Sequence, residues 1–150
     1  MTLIATNRQA HHKYQIFDKY EAGIALKGAE VKSVREGRVN LKDSFVRIVR
    51  GETFLVNCHI SPYSHIQDIR LADPTRMRKL LLKRTGIDRL AGQLSRKGHT
   101  IVPLSLYFKK GLAKVEIAVA RGKREYDKRE TLRRRIAERE AQRAIKRRVK

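Results

Sequence analysis

The sequence predicts a mainly β domain, a small closed or half-closed barrel of antiparallel strands with short helices in the gaps and a basic C-terminal tail. Three observations carry this. Apolar residues alternate with a period of two in two stretches, Phe54 to Ile60 and Leu104 to Val119, and each stretch contains or adjoins a short turn. Helical spacing is confined to short segments. The 150 residues are one domain's worth of chain, and the 41% hydrophobic share is that of a globular protein rather than a disordered one.

Taken in order, Tyr14 to Leu26 is rich in aromatic and branched residues and reads as a strand broken at Gly23. Ala29 to Glu36 reads as a short helix stopped by Gly37. Ser44 to Val49 pairs with the run after it across the turn Arg50-Gly51-Glu52. In that run Phe54, Val56, Cys58 and Ile60 share one face, and Leu55, Asn57 and His59 share the other. Asp73 before Pro74 reads as the N-cap of a helix that carries Arg78, Lys79, Leu80, Leu81, Leu82, Lys83 and Arg84. Thr85-Gly86-Ile87-Asp88 restarts a helix, with Ile87, Leu90, Ala91 and Leu94 as its apolar stripe and Gly98 as its end. The last hairpin turns at Lys109-Lys110-Gly111. Leu104, Leu106 and Phe108 share one face of its first strand, and Val115, Ile117 and Val119 share one face of its second. Lys114, Glu116 and Ala118 are then directed to solvent.

Charge narrows the function. Lys plus Arg is 36 against 15 Asp plus Glu, a net charge of +21. A balance this basic implies a polyanionic partner, nucleic acid or an anionic membrane surface, and argues against a generic metabolic enzyme. One cysteine, Cys58, excludes an intramolecular disulfide and reads as a buried thiol in a reducing compartment. There is no stretch of transmembrane length and no secretory leader at Met1 to Ala10, so the expectation is a soluble cytoplasmic protein. Phosphate-binding glycine loops, nucleophile elbows and zinc-protease motifs are missing. His11 and His12 would lie on opposite sides of an extended chain and make a poor metal pair, while Glu21 and Glu30 have no companion base. No catalytic residue, metal or cofactor is expected. Better candidates are for RNA: Arg8, Lys13, Lys19, Lys27, Lys32 and Arg35, interleaved with Tyr14 and Tyr20.

The charge is concentrated at the C-terminus. From Arg121 to Lys150 there are 14 basic and 5 acidic residues. The chain therefore divides into a body, 1–120, and a tail, 121–150. Glu130 to Val149 has strong helix formers and no Pro or Gly. Yet like-charge pairs four residues apart, Arg135 with Arg139, Arg139 with Arg143 and Arg143 with Arg147, outnumber favourable ones such as Glu130 with Arg134. Each pair is worth only about 0.2–0.5 kcal/mol, so the tail is expected to be disordered when free and to become helical on a polyanion.

Several segments, in order, resemble the family of tmRNA-binding small protein B, the SsrA-binding proteins. They are Glu21-Ala22-Gly23-Ile24, Gly28-Ala29-Glu30-Val31-Lys32-Ser33, Asn40-Leu41-Lys42-Asp43-Ser44 and His59-Ile60-Ser61-Pro62-Tyr63. Further along come Asp73-Pro74-Thr75-Arg76, Arg78-Lys79-Leu80-Leu81-Leu82, the run from Val102 to Lys109, and the run from Gly122 to Glu130. The resemblance implies an oligonucleotide-binding (OB)-like antiparallel β-barrel with three short flanking helices. It implies an adaptor of trans-translation that binds the tRNA-like domain of tmRNA and delivers it to the A site of stalled ribosomes. The tail would enter the empty mRNA channel near the decoding centre of the small subunit and fold there. The partners implied are tmRNA and the stalled ribosome, with no membrane and a monomeric protein.

By the same resemblance, Glu21, Leu81 and Lys114 match the family's tmRNA-contact positions. Lys114 suits a phosphate, Leu81 an apolar contact to a base or sugar, and Glu21 a base amino group or 2′-hydroxyl. His12 and Tyr14 match a pair near the RNA or the decoding centre. Gly122 opens the tail motif, Tyr126 sits where an aromatic ring or His can stack, and Asp127, Lys128 and Arg129 match residues that engage the ribosome. Two departures are His11, at a position usually basic, and Gly86, where a helix former is usual. The rival readings are a structural ribosomal or ribosome-assembly protein, a metal-free RNA hydrolase using His11 or His12, and a membrane-surface protein. The last is disfavoured by the thin apolar stripe of the tail.

Overall fold

The computed structural model describes residues 1–62, 73–122 and 139. Among these the chain forms β1 (Thr2–Thr6), α1 (Arg8–Lys13), β2 (Tyr14–Ile24), α2 (Gly28–Arg35), β3 (Val39–Asn40), β4 (Phe45–Val49), β5 (Glu52–Val56), β6 (His59–Ile60), β7 (Arg78–Leu81), α3 (Arg84–Leu94), β8 (His99–Lys109) and β9 (Leu112–Gly122). The architecture is mainly β with three helices. The large sheet runs β1-β8-β4-β5-β7-β2-β9, and β9 pairs again with β8. A two-residue ladder joins β3 to β6. All recorded pairings are antiparallel.

The principal core lies on the inner face of the large sheet. Leu55, Ile101, Leu106, Val115 and Ile117 are fully buried there, with Val34 of α2 and Leu90 of α3 packed onto them. Alternation predicts Val115, Ile117 and Val119 as one buried face, and that is how they pack. Ala118 corrects the expectation: it is buried, not directed to solvent. A second cluster on the opposite face, Ala10, Val102, Leu104, Ala118 and Ala120, is covered by α1, so the β8–β9 hairpin is apolar on both sides. Small residues on β9 let a helix approach that face closely. The side chain of Asn7 fixes α1 there, donating to the Pro103 carbonyl at 2.9 Å and to the Leu41 carbonyl at 3.3 Å, and accepting from the Ala10 amide at 3.2 Å.

Leu104 and Leu106 also part company. The register of β8 against β9 shifts between Pro103 and Ser105, which sends Leu104 to the second cluster and Leu106 to the first. A similar phase change occurs after β5. Thr53 and Leu55 are buried while Phe54 and Val56 are half-buried. Asn57, at φ 63°, then reverses the alternation, so that Cys58 and Ile60 are buried. Phe54, Val56, Cys58 and Ile60 therefore do not share a face. Cys58 is fully buried, and burial pushes its thiol up to about 11 despite the nearby Arg78.

The helices correct the sequence reading at three places. The helix expected after Asp73 is absent. Asp73 instead closes a turn, its carboxylate accepting from the Thr75 amide at 3.1 Å, and Arg78–Leu81 pairs as a strand with β5 and β2. The alternation there, Arg78 and Leu80 in, Lys79 and Leu81 out, is masked because the inward residue Arg78 is charged. Arg78 is tolerated inside because it donates to Glu30 Oε2 at 2.7 Å, the Cys58 carbonyl at 2.6 Å and the Pro74 carbonyl at 3.0 Å. The third helix is α1, in which His11 and His12 occupy the last turn rather than an extended chain. α3 begins at Arg84 with Lys83 as its N-cap, ahead of Thr85, and Ala91 is exposed while Leu90 anchors the stripe. α2 and its stop at Gly37, φ 76°, stand as predicted.

Candidate nucleic-acid interface

Residues that the sequence scatters over nearly one hundred positions meet on the outer face of four neighbouring strands. In register, Tyr107 of β8 lies opposite Lys114 of β9, Lys114 opposite Gly23 of β2, and Gly23 opposite Leu81 of β7. Their neighbours Leu106, Val115, Ala22 and Leu80 all point into the core, so the row faces outward. Glu21, two residues before Gly23, shares that face. A concavity of about 440 Å³ results, lined by Tyr20, Glu21, Gly23, Leu81, Arg89 and Lys114. Leu81 is 56% exposed, an apolar side chain left in solvent among charges. Gly23 sets the spacing: a Cβ there would meet the Leu81 Cβ at 3.3 Å.

The electrostatics of this concavity centre on Glu21. Its Oε2 accepts from the Tyr107 hydroxyl at 2.5 Å and faces the Lys109 ammonium at 3.5 Å. The Tyr107 hydrogen bond, followed by Lys109 and Lys114, holds the Glu21 carboxyl below the usual range against a smaller opposing effect of burial. Burial and the Glu21 carboxylate push the Tyr107 hydroxyl up, so it stays a donor. An ionised carboxylate only accepts hydrogen bonds, and the ammonium groups around it only donate. The site can thus take a phosphate and a hydroxyl or amino donor side by side. Sequence reasoning missed Tyr107, Lys109 and Arg89, because only register and the placement of α3 bring them to Glu21.

His12 and Tyr14 are not part of this group. Tyr14 begins β2, seven residues from Glu21, roughly 20 Å at about 3.3 Å per residue, and His12 lies beyond it in α1. His12 is exposed on the last turn of α1. Tyr14 is half-buried against the second cluster and lines a smaller concavity of about 280 Å³ with Asn7, Lys13, Asp43 and Phe45. Gly122, the last residue of β9, pairs with Tyr14 at the start of β2. Tyr126, Asp127, Lys128 and Arg129 lie outside the described residues, as does the expected helix from Glu130 to Val149 apart from Arg139, which is helical.

Other basic candidates divide. Arg8, Lys19 and Lys27 are exposed. Arg35 stands over the Phe108 ring, 5.6 Å from its centroid. Arg78 is wholly buried, and Arg76 is paired with the same Glu30 carboxylate, so both are structural. Glu21 and Glu30 thus serve different partners and form no carboxylate pair. Among the described residues no group of three or more His, Cys, Asp or Glu side chains is placed to hold a metal, and no helix is long and apolar enough to cross a membrane.

Fold and site together define a class: a small, strongly basic β domain with an outward concavity suited to a polyanion. Comparison with known proteins narrows it. The sequence model of the SmpB protein family matches residues 4–147. An SsrA-binding protein of Geobacillus kaustophilus is 54% identical over 148 residues, covering 99% of this chain and 95% of the relative. One of Rubrobacter xylanophilus is 55% identical over 150 residues, covering 100% and 99%. A solved chain from "tmRNA-SmpB: a journey to the center of the bacterial ribosome" superposes with a TM-score of 0.67 at 49% identity, covering 79% of this chain and 83% of that one. The chain belongs to the SmpB protein family.

Proposed function

We propose that this chain is an RNA-binding adaptor of trans-translation. It binds the tRNA-like domain of tmRNA and delivers it to the A site of stalled ribosomes, with the tail entering the empty mRNA channel. The observation that carries this reading is the meeting of Glu21, Leu81 and Lys114, from three strands, in one outward concavity. Family membership supports the partner: the relatives are SsrA-binding proteins, and the similar solved chain comes from a tmRNA–SmpB ribosome study. The strand order β8-β4-β5-β7-β2-β9 with β9 returning to β8 supports an OB-like barrel, a fold suited to RNA through loops and faces rather than grooves. The tail expected over 121–150 follows the body, although its first two residues, Arg121 and Gly122, still pair in β9 with Gln15 and Tyr14 of β2. His12, Tyr14 and Gly122 at that junction, and Tyr126, Asp127, Lys128 and Arg129 beyond it, then face the decoding centre. The protein acts in the cytoplasm as a monomer, without catalysis, cofactor or membrane.

Affinity on this reading comes from counterion release, with a log–log salt slope of about −0.9 per phosphate neutralised on duplex-like backbone. Lys114→Ala weakens tmRNA binding and lowers that slope by about one while the fold is kept. Equal affinity and slope in filter binding across salt concentrations would remove Lys114 from the site. The broader test is to recover the protein from native cytosol in moderate salt and sequence its RNA. One RNA with a tRNA-like end supports the adaptor; ribosomal fragments in proportion to their abundance support the structural ribosomal protein instead.

A further inference from the structure

The Glu21 carboxylate is held in an unusual way for a surface group. It is 40% exposed, yet it receives a hydrogen bond from a tyrosine that is 5% exposed and two strands away. The Tyr107 hydroxyl reaches across β9 to β2, a contact between residues 86 apart in the chain. The Tyr107 hydroxyl and the Lys109 ammonium both meet Glu21 at Oε2. Among the described residues no hydrogen bond or ion pair reaches Oε1. A fixed carboxylate with one oxygen satisfied and one open is pre-organised to accept from a single external donor, without the rotamer cost an unrestrained glutamate would incur.

We propose that Tyr107 is a positioning residue of the RNA site. Its hydroxyl, together with the Lys109 ammonium, takes Oε2 of Glu21 and leaves Oε1 as the acceptor for a 2′-hydroxyl or base amino group of the bound RNA. The inference rests on the reading of Glu21 as an RNA contact. The register row gives its geometry: Tyr107, Lys114, Gly23 and Leu81 stand in line across four strands, so the residue that orients Glu21 and the residue that meets phosphate are direct neighbours. The charged groups facing Glu21 come from every side. Lys109 is on its β8 flank, Lys114 and the register-opposed Glu116 are on β9, and Lys83 and Arg89 are across the concavity. Tyr107, unlike these, is a neutral donor, so it fixes the carboxylate without neutralising it.

The test is a double-mutant cycle on the full chain with transcribed tmRNA, using Tyr107→Phe, Glu21→Ala and the pair. Tyr107→Phe keeps the ring and removes one hydroxyl. It is expected to weaken binding about fivefold, and to add no loss in the Glu21→Ala background. Carboxyl ¹³C titration of free Tyr107→Phe is expected to show the Glu21 transition moved up toward its ordinary value of 4.5, a change that mere loosening of the sheet would not single out. Full affinity in Tyr107→Phe beside a weakened Glu21→Ala overturns the positioning role and leaves Glu21 at the interface. Equal losses from Tyr107→Phe with and without Glu21 also overturn it. Wild-type affinity in Glu21→Ala instead removes Glu21 itself from the RNA site. Should Tyr107→Phe fold poorly, Lys109→Gln at its exposed position probes the same oxygen. A smaller loss, absent in the Glu21→Ala background, is expected; an undiminished one overturns the proposal.

Discussion

The charged residue with the largest structural consequence is Arg78, which is wholly buried and has no role at the surface. Its partner Glu30 also caps α2 by accepting from the Lys27 amide at 2.8 Å, so one carboxylate ties a strand, a turn and a helix together. Burial pushes the Glu30 carboxyl up, but Arg76, the Lys27 amide and Arg78 outweigh it and hold the group below 4.5. A carboxyl depressed on folding adds stability above its unfolded value and loses it as pH falls through the folded one. Glu30→Gln is therefore expected to cost about 3–5 kcal/mol near pH 7, because Arg78 is left as a buried charge without a counter-charge. The gap to the wild-type chain should narrow as the pH drops below about 4.5. Urea unfolding at several pH values measures both, and a gap independent of pH would contradict the ion-pair account.

At the scale of elements, α3 is fastened chiefly through Leu90, the one fully buried side chain of its stripe. The helix also holds β2 through a polar chain, the Tyr20 hydroxyl donating to Gln93 at 3.1 Å and Gln93 donating to Asp18 at 2.6 Å. Leu90→Ala is expected to destabilise the fold by about 2–5 kcal/mol. It should also weaken RNA binding, because α3 carries Arg89 to the concavity. Denaturant unfolding and filter binding on the same variant check the two effects. The tail belongs to the same scale. An isolated 121–150 peptide should show little helix by circular dichroism in buffer and gain helix on RNA; a fully helical free peptide would contradict the charge-repulsion argument.

For the whole molecule, two surfaces at opposite ends of β2 imply a division of labour. One end gathers Glu21, Leu81 and Lys114; at the other, Gly122 at the end of β9 pairs with Tyr14, next to His12 of α1. Truncation before Asp127 should leave tmRNA affinity within about twofold of the full chain and abolish tagging of stalled products, since only the far end is lost. A truncated chain that tags as well as the full one would refute the tail's role, and one that no longer binds tmRNA would refute the separation of the two surfaces.

The sequence by itself determined the class of fold, the two hairpins, α2, α3 and the polyanionic partner, because period-two apolar runs, capping glycines and net charge are local or additive properties. It determined the family as well, through motifs spread along the chain. Where two features competed at one position, local pattern failed. Asp73-Pro74 looks like a helix start, yet the segment is a strand because its inward residue is the ion-paired Arg78. Ala118 looks solvent-facing, yet α1 covers it. The tertiary structure alone decided which residues meet. Tyr107, Lys114, Gly23 and Leu81 form one row only because three strand pairings set their register, and register depends on bulges and on core contacts that lie far apart in the chain.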